Sequence, residues 1–156
     1  MSFPLGDLKR FHDAQNVGEP SALDVALAEL RSGGKRSHWI WFVLPQLRSL
    51  GRSTNAQLYG IADLAEARAY LADPLLHQRL EDVMEAIRDQ LNRPGQSLEK
   101  LMGGGLDAAK TVSSLTLFEA AGLDSAALLL NQIGRRCTRT LASLASAAED
   151  TARSTP

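Results

Sequence analysis

The sequence has one cysteine, few aromatic residues and no long run of apolar residues. Because Cys137 stands alone, no intramolecular disulfide can form, which suits a reducing compartment. The longest apolar run, Trp39 to Leu44, stops at Pro45 and is far too short to span a bilayer. The first residues lack a basic region followed by an apolar core, so no signal peptide is predicted. These absences predict a soluble cytoplasmic protein without a membrane partner.

The chain also has no excess of charge of either sign. Seventeen Lys and Arg residues balance eighteen Asp and Glu residues, for a net charge of −1 over 156 residues. No nucleic-acid partner is therefore expected. The three histidines, His12, His38 and His77, lack the spacing of zinc ligands, and no metal site is predicted.

The sequence predicts capped helices, separated by glycine and proline, over most of the chain. Asp73 and Pro74 combine an N-cap with proline at the first helical position, and apolar residues follow at helical spacing as far as Leu91. Asp63 and Glu66 have the spacing of a capping box. We expect an all-α fold, a single compact multihelical domain of about seven to nine short and medium helices over residues 7–148, not a simple four-helix bundle. A disordered tail is expected over residues 149–156, after a last helix that ends near Ala148.

One segment, residues 35–47, concentrates both tryptophans, a histidine and two adjacent cations. Ser37 could cap a short helix from His38 to Leu44, although the aromatic and β-branched content also allows a strand. At a helix N-terminus, Lys35 and Arg36 would attract an anion. The tryptophans could stack on a base or sugar, and the histidine could carry a proton near neutral pH. The alternative is a tryptophan core beside a solvated turn.

A second segment, residues 107–118, is predicted to be a helix capped by Asp107. Asp107, Lys110 and Ser114 would share one stripe of this helix. Its three hydroxyl residues within four positions are unfavourable in a helix interior, so they indicate either close helix packing or a functional use of the hydroxyls.

The two segments carry a resemblance to a known family. The matching parts are Lys35–Leu47, Leu50–Ser53, Tyr59–Ile61, Glu66–Leu71, the pair Asp107 and Lys110, Ser113–Phe118 and, near the start, Leu8–Phe11 with Ala14 and Gln15. Together they resemble the DUF1810 family, also called the Rv1873-like superfamily, over roughly residues 7–145. The resemblance implies a single, mainly helical domain and no established activity. Where the family often has a pair of aspartates, this chain has Asp107 and Ala108, which argues against a mechanism that needs two acids there.

The leading hypothesis is a site for an anionic small molecule, nucleotide-like or a sugar phosphate, where the two segments meet. His38 and Asp107 are the candidate catalytic residues. The candidate ligand-binding residues are Lys35, Arg36, Ser37, Trp39, Trp41, Gln46, Arg52, Ser53, Lys110 and Ser114. The alternative is a non-catalytic protein-interaction module in which both segments are structural core. A homodimer through the Ala/Leu-rich C-terminal helices is compatible with either, and the sequence identifies neither a cofactor nor a reaction.

Overall fold

The computed structural model describes the backbone of residues 7–154 and the side chains of residues 8–153. In this part of the chain there are ten α-helices, one short 3₁₀ helix and no strand. The α-helices are α1 (Asp7–Asn16), α2 (Ala22–Arg31), α3 (Ile40–Val43), α4 (Thr54–Tyr59), α5 (Leu64–Ala72), α6 (Pro74–Leu91), α7 (Leu98–Met102), α8 (Gly105–Ala120), α9 (Asp124–Ile133) and α10 (Thr138–Ser154). The all-α prediction is confirmed, with ten described helices where about seven to nine were expected.

The eight consecutive residues from Thr111 to Phe118 are all buried, so α8 is the central helix. It packs against α3, α5, α7, α9 and α10, while α2 packs along α6. Tyr70 of α5 joins two further aromatic rings in the core, with ring centroids 5.1 Å from both Phe11 and Phe118. Each such side chain, when fully buried, contributes about 1.5–3 kcal/mol to folding.

The helix starts follow the local signals in the sequence. Asp73 accepts hydrogen bonds from the amides of Leu75 and Leu76, as an N-cap before proline should. Asp63 likewise accepts from the Glu66 amide at 2.9 Å. The Glu66 carboxylate reaches back to the amide of Ala62. The sequence also predicts Asp7 as the cap of the first helix, and the side chain of Asp7 lies outside the described residues.

A tight crossing joins the segment around the 3₁₀ helix (Arg48–Leu50) to the chain between α4 and α5. The Arg48 amide donates to the Ile61 carbonyl, and the Ile61 amide donates to the Gln46 carbonyl, both at 2.8 Å. Gly60 is required at this crossing, since a Cβ there would lie 2.4 Å from the Arg48 Cα.

The last helix continues past its predicted end near Ala148. In α10 the carboxylate of Asp150 pairs with Arg153 at 2.8 Å, one turn later, and the alanine content of this stretch favours helix. Residues 149–154, part of the expected tail, are therefore helical, and residues 155–156 lie outside the described part.

Candidate functional site

The ammonium of Lys35 is buried and fully engaged. Its side chain is only 6% exposed, and Nζ lies 2.7 Å from a carboxylate oxygen of Asp107. Nζ also donates to the Ser37 carbonyl at 2.6 Å and stands 5.2 Å from the centroid of the Trp39 ring. Backbone pairing fixes the position, because the Lys35 amide donates to the Leu101 carbonyl at 2.7 Å. The two predicted segments thus meet at an ion pair beside the Trp39 ring.

Glu29 of α2 organises the residues that follow Lys35. Its carboxylate accepts from the amides of Arg36 and Ser37, from the Ser37 hydroxyl, and from the indole N–H of Trp39 at 2.9 Å. Burial alone would raise the pKa of Glu29, but these hydrogen bonds outweigh it and lower the pKa to about 2. The predicted cap by Ser37 is wrong: its hydroxyl binds Glu29, and α3 starts later, at Ile40.

The two tryptophans have different environments. Trp39 is 2% exposed and belongs to the core. Trp41 is partly buried, and Nζ of Lys110 lies 4.8 Å from the centroid of its ring. That distance is within the range of a cation–π interaction.

Asp107 lies in the first turn of α8 and is not its cap. The helix begins at Gly105 with Gly104 as N-cap, so the predicted capping role is wrong. An acid in the first turn is still favourable, because it faces the positive end of the helix dipole. The carboxylate is 24% exposed and lies 3.6 Å from Lys110, besides its shorter contact with Lys35.

The hydroxyls of α8 serve helix packing. Ser113 and Thr140 of α10 lie within hydrogen-bonding distance, 3.0 Å apart between their hydroxyl oxygens. The Thr116 hydroxyl donates to the Val112 carbonyl and accepts from the Cys137 amide. Ser114 is fully buried, and its Oγ has no hydrogen-bond partner in the described structure.

His38 lies apart from the charged cluster. It is exposed and lines a shallow cavity of about 220 Å³ whose other walls include Val17, Pro20 and Phe42. Among the described residues, no hydrogen bond or ion pair joins it to Asp107 or Lys110. The structure therefore brings Lys35, Asp107 and Lys110 together without the candidate proton carrier.

The other candidate ligand-binding residues are dispersed or have structural roles. Arg36 and Arg52 are exposed. Ser53 is the N-cap of α4, accepting from the Ala56 amide at 3.1 Å. Gln46 is partly buried, and its backbone carbonyl accepts from the Ile61 amide in the crossing with the chain before α5. In the described ranges, no helix is long and apolar enough to cross a membrane, and no group of three or more His, Cys, Asp or Glu side chains could hold a metal ion.

A family model described as a protein of unknown function, DUF1810, matches residues 5–144. The chain belongs to the DUF1810 family. Among solved structures, the chain is similar to the conserved hypothetical protein Rv1873 from Mycobacterium tuberculosis, with 43% sequence identity and a TM-score of 0.78. That match covers 89% of this chain and 96% of the other. None of the curated proteins matches the chain.

The DUF1810 chain has a buried ion pair that the sequence did not predict. Arg10 of α1 forms two hydrogen bonds, of 3.1 and 3.2 Å, with the fully buried carboxylate of Glu66 and a third with the Gly60 carbonyl. The capping-box spacing marked Glu66, but nothing local marked its pairing with a residue 56 positions earlier. Ala108, next to Asp107, is fully buried.

Proposed function

We propose that this protein is a non-catalytic interaction module in which residues 35–47 and 107–118 are structural core. The observation that carries the proposal is the Lys35–Asp107 ion pair. The side chain of Lys35 is 6% exposed, and its Nζ already lies 2.7 Å from a carboxylate oxygen of Asp107. The ammonium is therefore not available to bind a phosphate. To bind Lys35, an entering anion would have to displace Asp107, and two negative charges would then lie close together. That arrangement has a high free-energy cost in a partly buried position.

The remaining parts of a catalytic site are not assembled around this pair. An acid–base residue needs to lie within hydrogen-bonding reach of its partners. His38 has no hydrogen bond or ion pair with the cluster in the described part of the chain. The indole N–H of Trp39, which could have bound a ligand oxygen, is taken by Glu29.

The shallow cavity beside His38 suits an interaction module better than an enzyme. Its volume of about 220 Å³ falls below the roughly 300–1,000 Å³ of small-molecule sites. Apolar side chains make up most of its lining, and Val17 at its edge is 65% exposed. Such a depression would accept a single apolar side chain of a partner protein.

The experiment compares Lys35→Met with Lys110→Met and His38→Ala by thermal unfolding. We expect Lys35→Met to lose about 2–3 kcal/mol, because it leaves Asp107 with only the longer Lys110 contact. That loss corresponds to a Tm lower by about 5–10 °C in a domain of this size. Lys110→Met should lose less than about 1 kcal/mol, and His38→Ala should leave the Tm unchanged.

The same assay tests the anionic-ligand alternative. NAD, ADP-ribose and simple nucleotides are each added to the wild-type chain, since a ligand that binds only the folded state raises the Tm. We expect no shift. A rise in Tm that disappears in His38→Ala or Lys110→Met would overturn the proposal in favour of a ligand site.

A further inference from the structure

A larger cavity, of about 620 Å³, lies between the start of α5 and the second half of α10. We call it the α5–α10 groove. Its apolar lining includes Leu47, Leu64, Ala65, Leu144, Ala147 and Ala148. Its volume lies within the roughly 300–1,000 Å³ range of small-molecule sites, and such sites are lined mostly by apolar groups with a few polar ones.

The groove is open because the facing side of α10 carries small side chains. Ala147, Ala148 and Ala152 recur at helical spacing on the face that lines it. At one end the hydroxyls of Ser49 and Ser143 lie 3.3 Å apart and tie α10 to the 3₁₀ helix. Past the contact between Ser49 and Ser143, the alanine side chains leave a space that larger side chains such as leucine would fill.

The polar groups of the α5–α10 groove indicate the charge of its occupant. Arg68, the only Lys or Arg of its lining, is exposed and has no hydrogen bond or ion pair in the described structure. The one acid of the lining, Asp63, is engaged as the N-cap of α5, where it accepts from the Glu66 amide. A guanidinium without a partner beside an apolar surface is complementary to a carboxylate, which it can bind through two parallel hydrogen bonds.

We propose that the α5–α10 groove binds an amphiphilic carboxylate, a medium-chain fatty acid in its anionic form. The aliphatic chain would lie along the alanine face of α10, and the carboxylate would pair with Arg68. From Ser143 to Ala152 the groove runs along nine helical steps, about 13 Å at 1.5 Å per residue. An extended aliphatic chain of medium length fits that distance.

The outer wall of the groove lies beyond the family match. The DUF1810 match ends at residue 144, whereas Ala147, Ala148 and Ala152 belong to the last turns of α10. These groove residues therefore lie outside the part of the chain that the family model matches. The groove shares no residue with the Lys35–Asp107 cluster or the His38 cavity, so it stands or falls independently of the proposed function.

The test is calorimetric titration of the 156-residue chain with decanoate below its micelle concentration. Ala148→Leu fills the groove and should abolish binding without lowering the Tm. Ala142→Leu, a matched change at an exposed position of α10 that does not line the groove, should bind like the wild type. Loss of binding in Ala148→Leu alone would place the aliphatic chain in the groove.

The charge is tested with Arg68→Gln and the neutral ligand 1-decanol. Arg68→Gln should weaken decanoate binding by about tenfold, the effect of losing a charge-assisted pair of hydrogen bonds, and should leave decanol binding unchanged. Arg93→Gln, at an exposed arginine outside the groove, is the control.

Three results would overturn the proposal. They are no heat of decanoate binding, decanoate binding that Ala148→Leu leaves intact, and equal weakening of decanoate by Arg68→Gln and Arg93→Gln. Light scattering accompanies the titration. A homodimer that dissociates in Ala148→Leu, together with no decanoate binding, would assign the groove to a second copy of the chain instead.

Discussion

At the scale of single residues, Glu29 connects α2 to the aromatic segment, residues 35–47. It gathers two amides, a hydroxyl and an indole N–H from the segment that follows α2. A carboxylate accepts from four donors at once. A glutamine side chain at this position would place its own NH₂ group, which is also a donor, against at least one of them. The conformation of the aromatic segment therefore depends on an acid outside it.

Glu29 should make the stability of the fold depend on pH. Its pKa in the folded chain is about 2, below the ordinary 4.5. Because the folded-state pKa is lowered, the stabilisation is complete above about pH 5 and is lost as the pH falls from 4.5 toward 2. After allowance for solvent screening of a partly exposed group, we expect a loss of about 1–2 kcal/mol. Urea unfolding at pH 7 and pH 3 measures it.

The variant Glu29→Gln should be less stable than the wild type at pH 7 by about 2 kcal/mol, since a buried donor loses its acceptor. It should also lose less stability between pH 7 and pH 3. Glu85→Gln, a change at an exposed glutamate, is the matched control and should follow the wild type. Parallel pH curves for all three proteins would show that Glu29 is not the titrating group.

At the scale of elements, the Arg10–Glu66 pair joins α1 to the start of α5 and to the chain before it. The carboxylate is fully buried and the Arg10 side chain is 12% exposed. A third contact, from Arg10 to the Gly60 carbonyl at 2.8 Å, lies beside the tight crossing at Arg48. Three parts of the chain therefore converge on one ion pair.

Breaking this pair from one side should be severe. Arg10→Met leaves the Glu66 carboxylate buried with the Ala62 amide as its remaining described donor. We expect a loss of about 3–4 kcal/mol in the free energy of unfolding. The double variant Arg10→Met/Glu66→Met should be more stable than Arg10→Met alone, since it removes the uncompensated charge. Arg93→Met, at an exposed site, is the control. If the double variant is no more stable than Arg10→Met, an unpaired buried charge is not the cause of the stability loss.

At the scale of the whole molecule, the helices follow from local signals, but the contacts of the site do not. Asp73 with Pro74 predicts the start of α6 because a cap acts on amides two and three residues away. Lys35 and Asp107 are 72 positions apart, and no local pattern tells a buried ion pair from an anion-binding cation. The family resemblance covered both segments, and their meeting was part of the ligand-site hypothesis. Their use as a ligand site stays a prediction.

The start of α8 shows why a residue type can suggest a wrong role. Asp107 follows three glycines and Leu106, and an aspartate at the start of a predicted helix is typical of an N-cap. Gly104 takes the cap position instead, with φ of 144°, in a region that is nearly restricted to glycine. The helix thus begins two residues before the acid, and Asp107, in its first turn, is left to face Lys35.

The C-terminal turns of α10 should be the least stable helical part of the described molecule. Residues 145–153 are all exposed, whereas Thr140 in the first turn is fully buried. Local opening is easiest where few apolar contacts are lost. Native-state hydrogen exchange should therefore show the amides of residues 145–154 exchanging at least about tenfold faster than those of residues 140–144, a difference of about 1.4 kcal/mol in opening free energy. Equal protection along α10 would mean that this end is held by contacts beyond those described. If the α5–α10 groove binds decanoate, a saturating concentration should slow the exchange of residues 145–154.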